Sequence, residues 1–115
     1  MSPSLDTILD HFPGMVAYFD RELTYRYNNR LYEQRTLRKK ADLVGVPLRE
    51  ILGEEGFKQM LPHALRALSG ESVKVRRNAH HPNGDSGLVL VHYIPDRAPD
   101  GEVRGVIVFV LDSDP

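Results

Sequence analysis

The run Gly87–Leu111, GLVLVHYIPDRAPDGEVRGVIVFVL, decides the fold. Gly87 to Ile94 is rich in β-branched and aromatic residues and reads as one long strand, because such side chains fit a pleated, half-buried surface. Pro95 to Gly101 holds two prolines and a glycine and reads as a hairpin loop. Val103 to Leu111 returns, apolar on both faces. An antiparallel strand of that kind needs cover on both sides. One side is assigned to the core, the other to an N-terminal helix or a second molecule.

Working outward, Ser72 to Arg77 alternates apolar and charged residues, as a strand with one wet face does. His81-Pro82-Asn83-Gly84-Asp85 joins it to the long strand, and Asn-Gly is a strong hairpin signal. Two more strands lie near the start, Met15 to Asp20 and Thr24 to Tyr27, with Asp20-Arg21-Glu22 as their turn. Between the two groups lies one helical block. Two strands, helices, then three strands predict an α+β fold: one curved antiparallel sheet with helices gathered on one face and a hollow between the layers.

In the block, Asn28 or Asn29 is placed to cap a helix over Arg30 to Leu37. Arg35, Arg38, Lys39 and Lys40 read as a solvated basic face. Two short turns follow, Ala41 to Gly45 and Pro47 to Gly53, each stopped by glycine. The main helix is expected over Glu54 to Ser69, with Phe57, Met60, Leu61, Ala64, Leu65 and Leu68 as its apolar stripe. Pro62 predicts a kink or restart inside it. At the N-terminus, Ser2-Pro3 is expected to open a short helix, and Pro13-Gly14 to close it. Its apolar residues, Leu5, Ile8, Leu9 and Phe12, either pack on their own domain or form a dimer interface. The expected organisation is a cap helix over 1–14 and a single domain over 15–115.

The chain has 115 residues, 41% of them apolar and 27% charged, which suits one soluble domain with a real core. A formal net charge of −1 supplies no field for nucleic acid. Cysteine is absent, which removes disulfides, thiolate nucleophiles and thiolate metal sites. No apolar run approaches the roughly 20 residues that span a bilayer, and no signal-peptide pattern opens the chain. A cytoplasmic setting without membrane contact is expected.

Taken together, these segments resemble a PAS domain, a small sensory module of signalling proteins. The likeness covers Leu5 to Asp112 and rests on several short marks. Tyr27-Asn28-Asn29-Arg30-Leu31-Tyr32 is similar to the family's strand–Asn–helix junction, with Asn29 at the asparagine. Asp42-Leu43-Val44-Gly45 is similar to its E-L-I-G turn. Ala67 to Glu71 resembles the end of its long helix, Tyr93 to Val106 its last hairpin, and Val110-Leu111-Asp112 its closing V-x-D. Leu37-Arg38-Lys39 departs from it, standing where glycine often follows the asparagine helix. The resemblance implies strand order 2-1-5-4-3 and, in some members, a ligand or cofactor between sheet and helices. It implies dimerisation through the N-terminal helix and outer sheet face. It further implies an output domain, such as a histidine kinase, diguanylate cyclase or transcription regulator, in the same or a partner chain.

Several residues are candidates for chemistry. Some members of that family hold haem through a histidine on the long helix, which draws attention to His63. At 100° per residue the stripe centres near Phe57 and Leu68, and His63 falls roughly 130° away, on the outer flank. Light-sensing flavin adducts and coumaroyl chromophores need a cysteine that this chain lacks. No cofactor is assigned. His80, His81 and Asp85 share a hairpin, but adjacent strand histidines face opposite ways, so no metal site is assigned. His92, if inward, would serve as a hydrogen-bonding or pH-sensitive group. It is also the base required by a rival reading, a cone-shaped α+β hydrolase or isomerase. No catalytic motif accompanies it, and a non-enzymatic role is expected. The ligand-binding set expected from the pattern is Tyr27, Ile51, Phe57, Met60, Leu61, Leu65, Val91, His92 and Tyr93, walls suited to a small apolar or aromatic molecule or, equally, to a plain core.

Overall fold

The computed structural model describes residues 2–113. The order is α1 (Leu5–Asp10), β1 (Met15–Asp20), β2 (Tyr25–Asn28), α2 (Arg30–Thr36), α3 (Lys40–Leu43), α4 (Leu48–Leu68), β3 (Val73–His80), β4 (Ser86–Arg97) and β5 (Val103–Asp112). The five strands form one antiparallel sheet in the order β2-β1-β5-β4-β3. That is the α+β arrangement and strand order the sequence led us to expect.

Strand ends differ by a few residues. β2 starts one residue later than expected and takes in Asn28, while β3 and β4 run on to His80 and Arg97. The longer pairing, from Val73 opposite Tyr93 to His80 opposite Ser86, carries a run of polar residues that alternation alone does not signal. The open edge of β2 is met by backbone. Tyr25 N donates to Val46 O at 3.0 Å, Gly45 N to Tyr25 O at 2.8 Å and Leu48 N to Leu23 O at 2.9 Å. The chain between α3 and α4 thus occupies donors and acceptors that an edge strand would present to other chains.

Ser4, not Ser2, caps α1, accepting from Thr7 N at 3.1 Å. Asn29 caps α2, as one of the two candidates at that junction. Its Oδ1 accepts from Tyr32 N at 3.3 Å and Val16 N at 3.0 Å, and its Nδ2 donates to Leu9 O at 3.0 Å and Gly14 O at 2.9 Å. One side chain therefore ties α2 to β1 and to the end of α1.

The expected break at Pro62 is absent; α4 breaks at Gly53, whose φ of 74° and ψ of 170° leave the helical region. Only glycine adopts such a conformation readily, so the short turn and the main helix meet there. The main helix also lies rotated from expectation. Ala64 and Ala67 are fully buried against the sheet, whereas Leu65 is 53% exposed. Small side chains let a helix axis approach most closely, so the alanines set the contact line and the larger leucine turns outward.

The inner sheet face carries Met15, Ala17 and Phe19 of β1, Val89, Val91 and Tyr93 of β4, and Val106, Val108 and Val110 of β5. The outer face is partly covered by the segment after α1, where Phe12 packs on Phe109 with ring centroids 5.0 Å apart. Leu5 and Ile8 of α1 remain exposed.

Candidate functional site

Between the inner sheet face and the helices lies a cavity of about 510 Å³. β1 supplies Met15, Ala17 and Phe19; β2 supplies Tyr25; α2 supplies Tyr32 and Thr36; α4 supplies Met60 and His63. The far wall is Val75 and Arg77 of β3, Val91 and Tyr93 of β4, and Val108 and Val110 of β5. His80 and His81 lie at the end of that wall.

The polar atoms in this apolar shell are specific. Tyr25 is 2% exposed, and its hydroxyl has only the Tyr32 hydroxyl beside it, with which it makes no well-aligned hydrogen bond among the described residues. Its ring packs tilted on Tyr32, centroids 5.6 Å apart. Burial pushes the Tyr25 phenol far above its ordinary value, with the nearby Tyr32 and Glu33 adding to the shift. Burial also raises Tyr32 and Tyr93, and Arg77 partly opposes the latter. All three phenols therefore stay protonated. His63 stacks on Tyr93 at 5.6 Å, and its Nδ1 is buried without a partner among the described residues. A buried polar atom with no hydrogen bond costs about 1–3 kcal/mol, which a suitable guest offsets.

Of the expected ligand-binding residues, Met60, Val91 and Tyr93 line the cavity. Ile51, Phe57 and Leu61 pack in the hydrophobic core beside it. Leu65 faces outward. Tyr27 lies on the outer face, its hydroxyl donating to Asp6 at 2.9 Å and Lys40 Nζ 4.0 Å above its ring. The cause is a bulge: Tyr18 pairs with Tyr27 but Phe19 with Tyr25, so two tyrosines two residues apart take opposite faces. His92 is also on the outer face, opposite Phe109 and Lys74, and does not reach the cavity. His63 does the reverse, facing inward because α4 is turned toward its alanines. The geometric ground for setting it aside as an iron ligand is thereby removed.

Tyr25, Tyr32, Thr36 and Arg77 were not anticipated. Arg77 had a readable signal: it continues the alternation Val73, Val75, Arg77, Ala79, whose other members pack against the core. Tyr32 and Thr36 share one face of α2 at i, i+4 spacing.

α2 also carries a link across the molecule. Arg35 donates to Asp112 at 2.9 and 2.8 Å and lies 3.5 Å from Asp85. Asp112 ends β5. The two-pronged contact to Arg35, against burial, holds the Asp112 carboxyl below its ordinary value.

Comparison with known proteins gives a family model, structural neighbours and a set of curated relatives. A model described as PAS fold matches residues 9–113. The PAS domain of Bordetella pertussis BvgS superposes with a TM-score of 0.77 at 18% identity, over 96% of this chain and 85% of that one. A sensory box sensor histidine kinase from Vibrio cholerae gives 0.74 at 15% identity, over 96% and 90%. VqmA bound to DPO gives 0.75 at 22% identity, over 94% of this chain and 55% of that one. Human Mediator of RNA polymerase II transcription subunit 23 is 35% identical over 83 residues, 72% of this chain and 6% of that protein. The chain thus spans a small fraction of the curated relatives it matches.

Proposed function

The chain belongs to the PAS fold family, and from that premise we propose that it is a sensory module in which a small molecule occupies the cavity and biases the path from α2 to the end of β5. The observation that carries this reading is a largely apolar cavity of about 510 Å³ with polar atoms left to serve a guest: His63 Nδ1, buried without a partner among the described residues, and Tyr25 Oη, which has only the Tyr32 hydroxyl beside it. A plain core would have filled the space or satisfied those atoms.

α2 is the connecting element. Tyr32 and Thr36 line the cavity, and Arg35 on the same helix grips Asp112. A guest that moves α2 redistributes the Arg35–Asp112–Asp85 contacts where the chain leaves the sheet. Signal then passes to an output domain, such as a kinase, cyclase or transcription regulator, in the same or a partner chain. The exposed Leu5 and Ile8, beside the half-buried Leu9 and Phe12, suit pairing with a second copy through α1. In this reading the module is not an enzyme: His92, the base the rival reading needs, lies on the outer face.

Native mass spectrometry and an absorption spectrum of freshly purified protein test the binding claim. A co-purifying small molecule, lost in a Tyr25→Phe, His63→Ala double variant that keeps its circular dichroism, is the expected result. A strong visible band would identify haem at His63 instead of a colourless guest. A protein that holds nothing and shows no thermal shift across a broad small-molecule library refutes the reading. Light scattering tests pairing, with a strict monomer at high concentration against it. Among the described residues no helix is long and apolar enough to cross a membrane.

A further inference from the structure

Arg77 is the lone arginine lining the cavity, and among the described residues it makes no hydrogen bond or ion pair, whereas Arg35, Arg66 and Arg104 each hold a carboxylate. We propose, building on the sensory reading, that the cavity takes a small amphipathic carboxylate whose apolar body lies against Phe19, Val91 and Val108 while its carboxylate is held by Arg77.

Three observations converge on this class. First, among the described residues no aspartate or glutamate lines the cavity, so none of them there neutralises Arg77 or repels an anion. Second, the sheet register fixes where the charge lies. Arg77 pairs with Val89, which is 2% exposed on the inner face, so its side chain starts on the cavity side while Arg76 faces out. Third, the surroundings register the charge. Arg77 lowers the cost of ionising the Tyr93 phenol. Burial first, then Arg35 and Arg77, hold the His81 imidazole below its ordinary value, outweighing Asp112 and Asp85. An arginine offers a planar pair of N–H donors that matches a carboxylate. Because Arg77 is itself exposed, the anionic head stays at the mouth, partly hydrated, and the body enters first, where a ring N–H or hydroxyl on it would meet His63 Nδ1 or Tyr25 Oη. No full burial of charge is required, which avoids the large desolvation cost of a deep ion.

The test is a titration by calorimetry of the 115-residue chain with matched series. Phenylacetate, indole-3-acetate, 4-phenylbutyrate, octanoate and decanoate are each compared with the primary amide and the amine of the same body. At least one carboxylate is expected to bind tenfold or more tighter than its amide and amine. That preference should vanish in Arg77→Gln, be only partly retained in Arg77→Lys, which keeps the charge but not the paired donors, and be untouched in Arg76→Gln on the opposite face. It should also weaken as salt is raised, because the contact is at the mouth. Equal or tighter binding by amides or amines overturns the proposal and leaves the sensory cavity standing. A carboxylate preference that survives Arg77→Gln also overturns it. Failure of every member of every series to bind overturns the proposal, while the cavity reading is decided separately by the native mass spectrum and the broad library.

Discussion

Replacing Asn29 by alanine should remove more stability than any other single truncation at the strand–helix junction. Asn29 is 1% exposed and makes four hydrogen bonds to the backbone, at Val16, Tyr32, Leu9 and Gly14. A net value of about 1 kcal/mol per bond puts the loss at about 3–5 kcal/mol, since the backbone groups left behind are mostly shut off from water. A domain of this size holds only about 5–15 kcal/mol in all. With a shift of roughly 4 °C per kcal/mol, Tm should fall by about 12–20 °C. Asn28 is the internal control. It is equally buried, but among the described residues its side chain makes one hydrogen bond, to Asn29 O at 3.0 Å, and its Oδ1 has no partner. Asn28→Ala should therefore cost about 1 kcal/mol plus the small cavity it leaves. Asn29→Ser should recover about 1 kcal/mol of the alanine loss, because a serine hydroxyl still reaches Tyr32 N as a helix cap. Urea unfolding followed by far-ultraviolet circular dichroism measures all three. If Asn29→Ala costs no more than Asn28→Ala, the side chain is not the tie between α1, β1 and α2, and the account of that junction is wrong.

Other consequences are more local. Gly105→Ala should destabilise by about 1–3 kcal/mol, because a Cβ there would collide with the Tyr18 hydroxyl and come within 2.7 Å of Phe19 O; thermal unfolding of this variant beside Val108→Ala separates collision from simple core loss. Leu37→Gly should stabilise by about 0.5–1 kcal/mol, because Leu37 holds a left-handed φ of 59° and is 68% exposed; a destabilised variant in urea would show that its exposed side chain matters more than its backbone. The Asp112 carboxyl is held down by Arg35, so its contribution is present above an unfolded value of about 4 and is lost as pH falls through the lower folded value. Because Asp112 is 63% exposed, that contribution should be at most about 1 kcal/mol. Asp112→Asn should flatten the acid limb of stability below about pH 4, and an unchanged limb would assign it to other carboxylates.

The residues that proved legible are those whose role is set by their near neighbours. Ala98 to Gly101 turns the chain back as expected, although the strand before it runs on through Pro95 to Arg97, and Val73-Lys74-Val75 alternates whatever it packs against. Strand order followed from the resemblance those segments carried. The candidate site was read less well. Met60, Val91 and Tyr93 were placed because a helix stripe and a strand alternation each point one way. Tyr27 is expected inward, and His92 is considered for the site on condition that it faces inward; both lie outside. His63 was assigned outward and lies inside.

The reason is that facing is a property of pairs of elements. The sequence by itself determined five strands, the helical block and the asparagine junction, since propensity and period act over a few residues. Only the tertiary structure decided which way those elements turn. A one-residue bulge in β2 exchanges Tyr27 for Tyr25, and the close approach of Ala64 and Ala67 to the sheet rotates His63 into the cavity. Packing also joins Arg35 to Asp112 across 77 positions. Such contacts depend on where two distant surfaces meet, and no local pattern records that.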